Sequence, residues 1–349
     1  MRAVVNGALR PAGVPAPAGP EVTAFHRGLP RYAPTPVRAL EGVAAELGLA
    51  AVGMKDESDR LGLPAFKVLG ASWAVERALR EAGAPVRELV AASAGNHGRA
   101  VARVAALRGL ACRVFLPARS APARRAAIAA EGAELVVIDG TYEDAVAAAA
   151  AAGAEPGALE VADVGASGPA RWVVDGYATL FAEVAALGGE AYNLLLVPVG
   201  VGSLAAAAAR FGAAAGIPVV GVEPATAACL AASLAASEPV TVSTPGTSMA
   251  GLDCAEVSST AWPQLQAGIA GVVTVTDAEA HGAMAELAAL GCAIGDCGAA
   301  PLAALRALVD DPACAPLHAA VGGLGAESRV LLIATEGVTD PDGYAAALG

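Results

Sequence analysis

Residues 193–222 read NLLLVPVGVGSLAAAAARFGAAAGIPVVGV, and the fold class follows from this stretch. The run 194–199 is continuously apolar and too short for a helix, the pattern of a strand buried on both faces. Gly200, Val201, Gly202 and Ser203 interrupt it. The alanine-rich run 204–215 favours helix, because alanine loses no side-chain rotamers there. Residues 219–222 return to a β-branched run. A strand, a glycine turn, a helix and a second strand in this order form the βαβ unit of a parallel sheet.

The alternation extends in both directions. Strands are predicted at 89–92, 112–116, 135–138, 272–276 and 330–335, and helices at 65–81, 98–107, 121–131, 171–187, 225–236, 277–290 and 298–309. A further helix begins at TYEDAVAAAAAA, where Thr141 and Asp144 supply a capping box. Residues 1–30, rich in Pro and Gly and without a period, read as an extended arm holding little chemistry. A Gly- and Pro-containing stretch at 153–170 separates two α/β halves, and 238–262 is irregular. A chain of 349 residues exceeds what one core usually organises, so two domains with a cleft between them are expected.

The chain is 56% hydrophobic but only 4% aromatic, so its core is made of Ala, Val and Leu rather than large rings. No stretch carries the sustained large apolar side chains of a spanning helix. The N-terminus lacks the cationic start and apolar run of a secretory signal, which makes the cytoplasm the default location. Six scattered cysteines show neither CxxC pairs nor a His cluster, giving no support for a disulfide framework or a zinc site. A formal charge of −12 opposes nucleic acid and anionic membranes, leaving a small molecule as the expected partner.

Three features carry chemistry. Helical spacing from Lys67 reaches Gly70, Ala71, Ala74 and Ala78, a face of small residues, with Glu76 and Arg80 opposite. Such a lysine points inward, where a desolvated amine is nucleophilic at neutral pH; the same pattern also fits a lysine snorkelling at a helix start. GVGS at 200–203 lies between strand and helix, where free N–H groups and the helix dipole suit a phosphate, although a tight glycine turn has the same spelling. It is neither a Walker loop nor a dinucleotide fingerprint, so a monophosphate fits better. SAGNHG at 93–98 lies at another strand end, where Asn96 offers an amide and His97 reads as a structural cap neighbour.

Together these residues resemble the tryptophan-synthase-β-like, or fold type II, family of pyridoxal-phosphate enzymes. KDESDRLGLPAFKVLGAS, GNHGRAVA, GYATLFAEV, GVEP, SMAGLDCAE and TEGVTD are similar to its diaminopropionate ammonia-lyase branch, over roughly residue 33 to the C-terminus. The resemblance implies an α/β fold with parallel-rich sheets flanked by helices. It implies a large cofactor-binding domain from 1–84 and 170–349 and a smaller, mobile one at 85–169. By the same resemblance Lys67 would carry pyridoxal 5'-phosphate as a Schiff base and then move the substrate's α-proton. Asn96 would bond the cofactor's 3'-oxygen, Gly200, Val201, Gly202 and Ser203 would cradle its phosphate, and Thr335 would face the pyridine nitrogen. Ser93 and Ala94 would lie near the substrate carboxylate. The implied reaction is α,β-elimination from a small β-substituted amino acid, such as L-2,3-diaminopropionate, by a homodimer.

Two departures bear on the substrate. The branch has an aspartate where this chain has Ala94, which makes SAGNHG look like the serine and threonine dehydratases. The second aspartate of the branch corresponds to Asp163 in VADVG, and the usual Glu-Ser-Gly becomes Asp296 and Cys297 in IGDCGAAP. A β-replacement synthase uses the same machinery, whereas a non-catalytic binder would be free to lose Lys67.

Overall fold

A computed structural model describes residues 1–162, 168–186 and 192–349. The strands are β1 (Ala3–Val5), β2 (Val37–Ala39), β3 (Ala51–Asp56), β4 (Glu88–Ala92), β5 (Ala111–Pro117), β6 (Glu134–Ile138), β7 (Ala158–Glu160), β8 (Leu194–Pro198), β9 (Val219–Pro224), β10 (Gly271–Val275) and β11 (Arg329–Ala334). They form a seven-stranded sheet, β1-β10-β9-β8-β11-β3-β2, and a four-stranded sheet, β6-β5-β4-β7. Every pairing in the smaller sheet is parallel. In the larger one only the edge strands β1 and β2 run antiparallel to their neighbours.

The two-residue period of a strand distributes the core. Leu195 and Val197 of β8 pack on one face with Leu204 to Ala209 of the helix Ser203–Ala215. Leu194 and Leu196 pack on the other with Ala300, Ala304 and Leu308 of the helix Asp296–Asp310. A strand covered on both faces has no solvent side, which is why β8 spells LLLVP without alternation. The smaller sheet divides likewise: Leu89 and Val114 face the helix Asn96–Arg108, while Val90 and Phe115 face Ala145 and Ala149. Among the described residues no helix is long and apolar enough to cross a membrane.

The capping box is present: Asp144 N–H donates to Thr141 Oγ1 at 3.2 Å and Thr141 N–H to the Asp144 carboxylate at 2.8 Å. The helix expected at 225–236 begins later, at Cys229, because the Glu223 carboxylate accepts the N–H groups of Leu230 and Ala231 at 2.7 and 2.8 Å. The helix expected at 171–187 is two helices, Gly168–Gly176 and Ala178–Ala186, meeting at Tyr177. Close packing accompanies the break. A Cβ on Gly176 would lie 2.6 Å from the Leu69 carbonyl oxygen and 2.8 Å from Gly70 Cα, so only glycine lets these backbones approach.

The N-terminus is not an extended arm. Residues 3–5 complete the large sheet, and Pro20–Arg27 is a helix with proline in its first turn. His26 of that helix is fully buried: Nδ1 lies 2.7 Å from Thr179 Oγ1 and Nε2 lies 3.0 Å from the Leu69 carbonyl oxygen. The carbonyl accepts, so Nε2 carries the proton and Nδ1 takes the Thr179 hydroxyl hydrogen. Burial pushes the His26 pKa down to about 4. Glu76, expected on the outer face of its helix, is buried because Arg80 and Arg108 both pair with it.

Candidate active site

In parallel sheets ligands gather at the carboxyl ends of the strands, where the following turns expose backbone N–H groups. Here β8 leads to Gly200, β11 leads to Thr335, and β4 leads to Ser93 and Asn96. These ends converge on one cleft, lined by Lys67, Asn96, Gly200, Val201, Gly202, Ser203, Thr335 and Glu336, among others.

Lys67 is the first residue of the helix Lys67–Glu81. The chain before it is tied to the end of β11: Phe66 N–H donates to the Thr335 carbonyl at 3.2 Å, and Gly337 N–H to the Pro64 carbonyl at 3.0 Å. Backbone bonds thus set where the lysine enters the cleft, half-buried, with its Nζ 5.6 Å from the Phe66 ring centroid. The Phe66 ring itself packs on Tyr177, 4.7 Å between centroids.

A buried ion network supports the same segment. Arg60, fully buried, donates to both oxygens of Glu183 at 2.7 Å and to Glu57 at 2.6 Å, while Lys55 Nζ donates to Glu183 at 2.7 Å. Burial works against ionisation of Glu183, but Arg60 and Lys55 outweigh it and hold the carboxyl at about 2. The turn that carries Arg60 leads directly into Lys67, so the network fixes the approach to the amine.

Gly202 has a φ of 95°, open to glycine and costly for other residues, and it forms the N-cap of Ser203–Ala215. No side chain caps this helix. The Ala206 N–H is bonded to the Gly202 carbonyl at 2.8 Å, and the N–H groups before it stand at the positive end of the dipole. Thr335 is buried, and its hydroxyl has no hydrogen-bond partner among the described residues. A buried hydroxyl left alone is costly, which marks it as a group awaiting a ligand atom. An amine at a helix head, an uncapped helix at a glycine turn and an orphan hydroxyl fit the aldehyde, phosphate and ring nitrogen of pyridoxal phosphate.

Asn96 opens the helix Asn96–Arg108, and its amide donates to the Glu336 carboxylate. Ser93 and Ala94 lie on the same turn, outside the residues lining the cleft; the Ser93 hydroxyl accepts from Gly95 N–H at 3.1 Å. His97 Nε2 lies 2.7 Å from the Val161 carbonyl oxygen. Asp163 lies outside the described residues. Sequence reading missed Glu336, Phe66 and Gly251 in the cleft; the flanking TEG and SMAG segments were the available signal. Asp296, Cys297 and Glu336 bring ligand atoms within 4.8 Å of one another. Burial and then Asp296 raise the Glu336 carboxyl to about 7.

Diaminopropionate ammonia-lyase of Salmonella typhimurium is 32% identical over 93% of this chain and 90% of its own length. The biosynthetic L-threonine dehydratase of Corynebacterium glutamicum is 32% identical over 61% of this chain and 49% of its own. The crystal structure of Escherichia coli diaminopropionate ammonia-lyase with an aminoacrylate–pyridoxal phosphate azomethine reaction intermediate superposes with a TM-score of 0.87. That match is 27% identical and covers 99% of this chain and 96% of the other. The family model for pyridoxal-phosphate dependent enzymes matches residues 29–335, and to that family the chain belongs.

Proposed function

We propose that this enzyme eliminates the β-amino group of L-2,3-diaminopropionate or a similar small diamino acid. The observation that carries the reading is the convergence of Lys67, Asn96, the 200–203 glycine turn and the orphan Thr335 hydroxyl on one cleft, in a chain similar to an ammonia-lyase over nearly its whole length. Lys67 would hold pyridoxal 5'-phosphate, Asn96 would meet its 3'-oxygen, residues 200–203 would bind its phosphate and Thr335 would face its ring nitrogen. When bound, the cofactor supplies an electron sink at the amino acid's Cα.

Once the substrate's own amine has displaced it from the cofactor, the Lys67 amine would accept the Cα proton, and the electron pair of that bond would become the Cα–Cβ double bond as the Cβ–N bond breaks. Ammonia leaves only with a proton, which makes an acid at the leaving group necessary; Asp163 is the candidate. Water then releases a 2-oxo acid and a second ammonia. Ser93 and Ala94, on the turn that brings Asn96 to the cleft, would meet the substrate carboxylate at its edge, where N–H groups at a helix start suit an anion. A neutral hydroxyl at Thr335 would leave the ring nitrogen unprotonated, which would favour elimination over transamination.

Ala94 favours a second reading, dehydration of L-serine or L-threonine, because SAGNHG is similar to the dehydratases and no carboxylate stands at 94 to serve a D-substrate. The unit 85–169 moves against 1–84 and 170–349 as substrate enters, and the enzyme works as a cytoplasmic homodimer. Assays of 2-oxo acid from L- and D-diaminopropionate, L-serine and L-threonine separate the readings. Turnover of the L-diamine supports the ammonia-lyase; turnover of the hydroxy amino acids alone replaces it with the dehydratase.

A further inference from the structure

The hydrogen bond between Asn96 and Glu336 joins the two sheets across the cleft: Asn96 follows β4 of the smaller sheet, and Glu336 follows β11 of the larger. Glu336 is itself held. Its backbone carbonyl accepts from Gly295 N–H at 3.1 Å, it bridges to Ala65 just before Lys67, and a Cβ on Gly295 would lie 3.3 Å from its Oε1. An asparagine amide has two faces of opposite hydrogen-bonding character, and only the nitrogen face can donate. An ionised carboxylate accepts only, so it stabilises the orientation in which Nδ2 faces it and repels the flipped one. Nδ2 has a second N–H left for another acceptor.

We propose that Glu336 is a positioning residue for the cofactor site, fixing through its side-chain bond the amide face that Asn96 turns to pyridoxal phosphate. The proposal rests on the reading that Asn96 meets the cofactor. The groups facing Glu336 are Asn96, Asp296 and Cys297 at the start of the helix Asp296–Asp310, and the more distant Arg124 of the helix Pro122–Ala129. Burial and Asp296 raise its carboxyl to about 7 and Arg124 opposes them. A protonated Glu336 can donate to the amide oxygen instead, so the control of orientation strengthens as pH rises through that value.

The test is a double-mutant cycle on cofactor affinity, read by titrating pyridoxal phosphate into stripped protein and following tryptophan quenching, with the melting temperature of each stripped variant as the folding control. Asn96→Ala and Glu336→Ala each weaken binding about tenfold, and the double variant binds no more weakly than Asn96→Ala alone. Glu336→Gln, which can donate as well as accept, recovers only part of the affinity and loses the part of the wild-type pH dependence centred near 7. Two independent weakenings that multiply, about a hundredfold together, would overturn the proposal, as would an unchanged affinity in Glu336→Ala. Should Glu336→Ala not fold, the pH profile of Glu336→Gln decides: loss of the dependence near 7 upholds the proposal, and a profile matching wild type overturns it. An unchanged affinity in Asn96→Ala alone refutes instead the placement of Asn96 at the cofactor.

Discussion

The fully buried His26 makes acid stability a test of how the N-terminus supports the site. Its pKa falls from 6.5 to about 4 on folding, because burial disfavours the imidazolium. A group whose folded value is depressed in this way is neutral in the fold and takes up its proton more readily when unfolded. Its contribution is therefore complete above pH 6.5 and is lost as pH falls through the interval down to 4. At about 1.4 kcal/mol per pH unit the whole interval is worth about 3 kcal/mol, of which about 2 kcal/mol is gone by pH 5. Glu223 and Glu336, both raised by burial to about 7, act in the opposite sense, since each penalises the fold as pH rises. Comparing wild type with His26→Gln removes them. Urea unfolding at pH 7.5 and pH 5 should show the difference between the two proteins shrinking by about 2 kcal/mol on acidification. A difference independent of pH would refute the assignment of a neutral imidazole clamped between Leu69 and Thr179.

Three further outcomes follow from the packing around Lys67. Gly176→Ala places a Cβ 2.6 Å from a backbone oxygen, so a helix must shift; stability falls by about 1–3 kcal/mol and turnover falls with it, as calorimetry and an activity assay would register. Glu183→Gln leaves Lys55 and Arg60 sharing Glu57 alone in a buried site and costs about 3–5 kcal/mol in denaturant unfolding. Thr335→Val removes a hydroxyl that has no partner among the described residues, so the stripped protein keeps its stability to within about 1 kcal/mol while cofactor binding weakens about tenfold in a fluorescence titration.

What could be read from the sequence is what depends on local pattern. Apart from β7, which falls in the stretch read as a separator, the strands from 89 onward, the Thr141 capping box, the GVGS turn and Lys67 at a helix start all follow from short-range periodicity and turn chemistry, and all stand within one or two residues of their expected places. The N-terminal elements did not announce themselves. The strand Ala3–Val5 is three residues long and exists because β10 offers it an edge, and β3 spells AVGMKD, whose Lys55 and Asp56 read as surface until Glu183 and Arg38 supply their partners. Glu336 was hidden for the same reason. A glutamate beside a strand end looks solvated, and only the fold brings Asn96, Asp296 and Cys297 around it. The break at Tyr177 depends on a neighbouring helix that no local window contains.

The most direct test of the central claim is to compare wild type with Lys67→Ala, recording the visible spectrum and the formation of pyruvate from L-2,3-diaminopropionate. A yellow wild-type protein that forms pyruvate, beside a variant lacking both the band and the turnover, is the predicted result. A variant that keeps its chromophore and its turnover, or a wild type that stays colourless with added pyridoxal phosphate, would contradict the account.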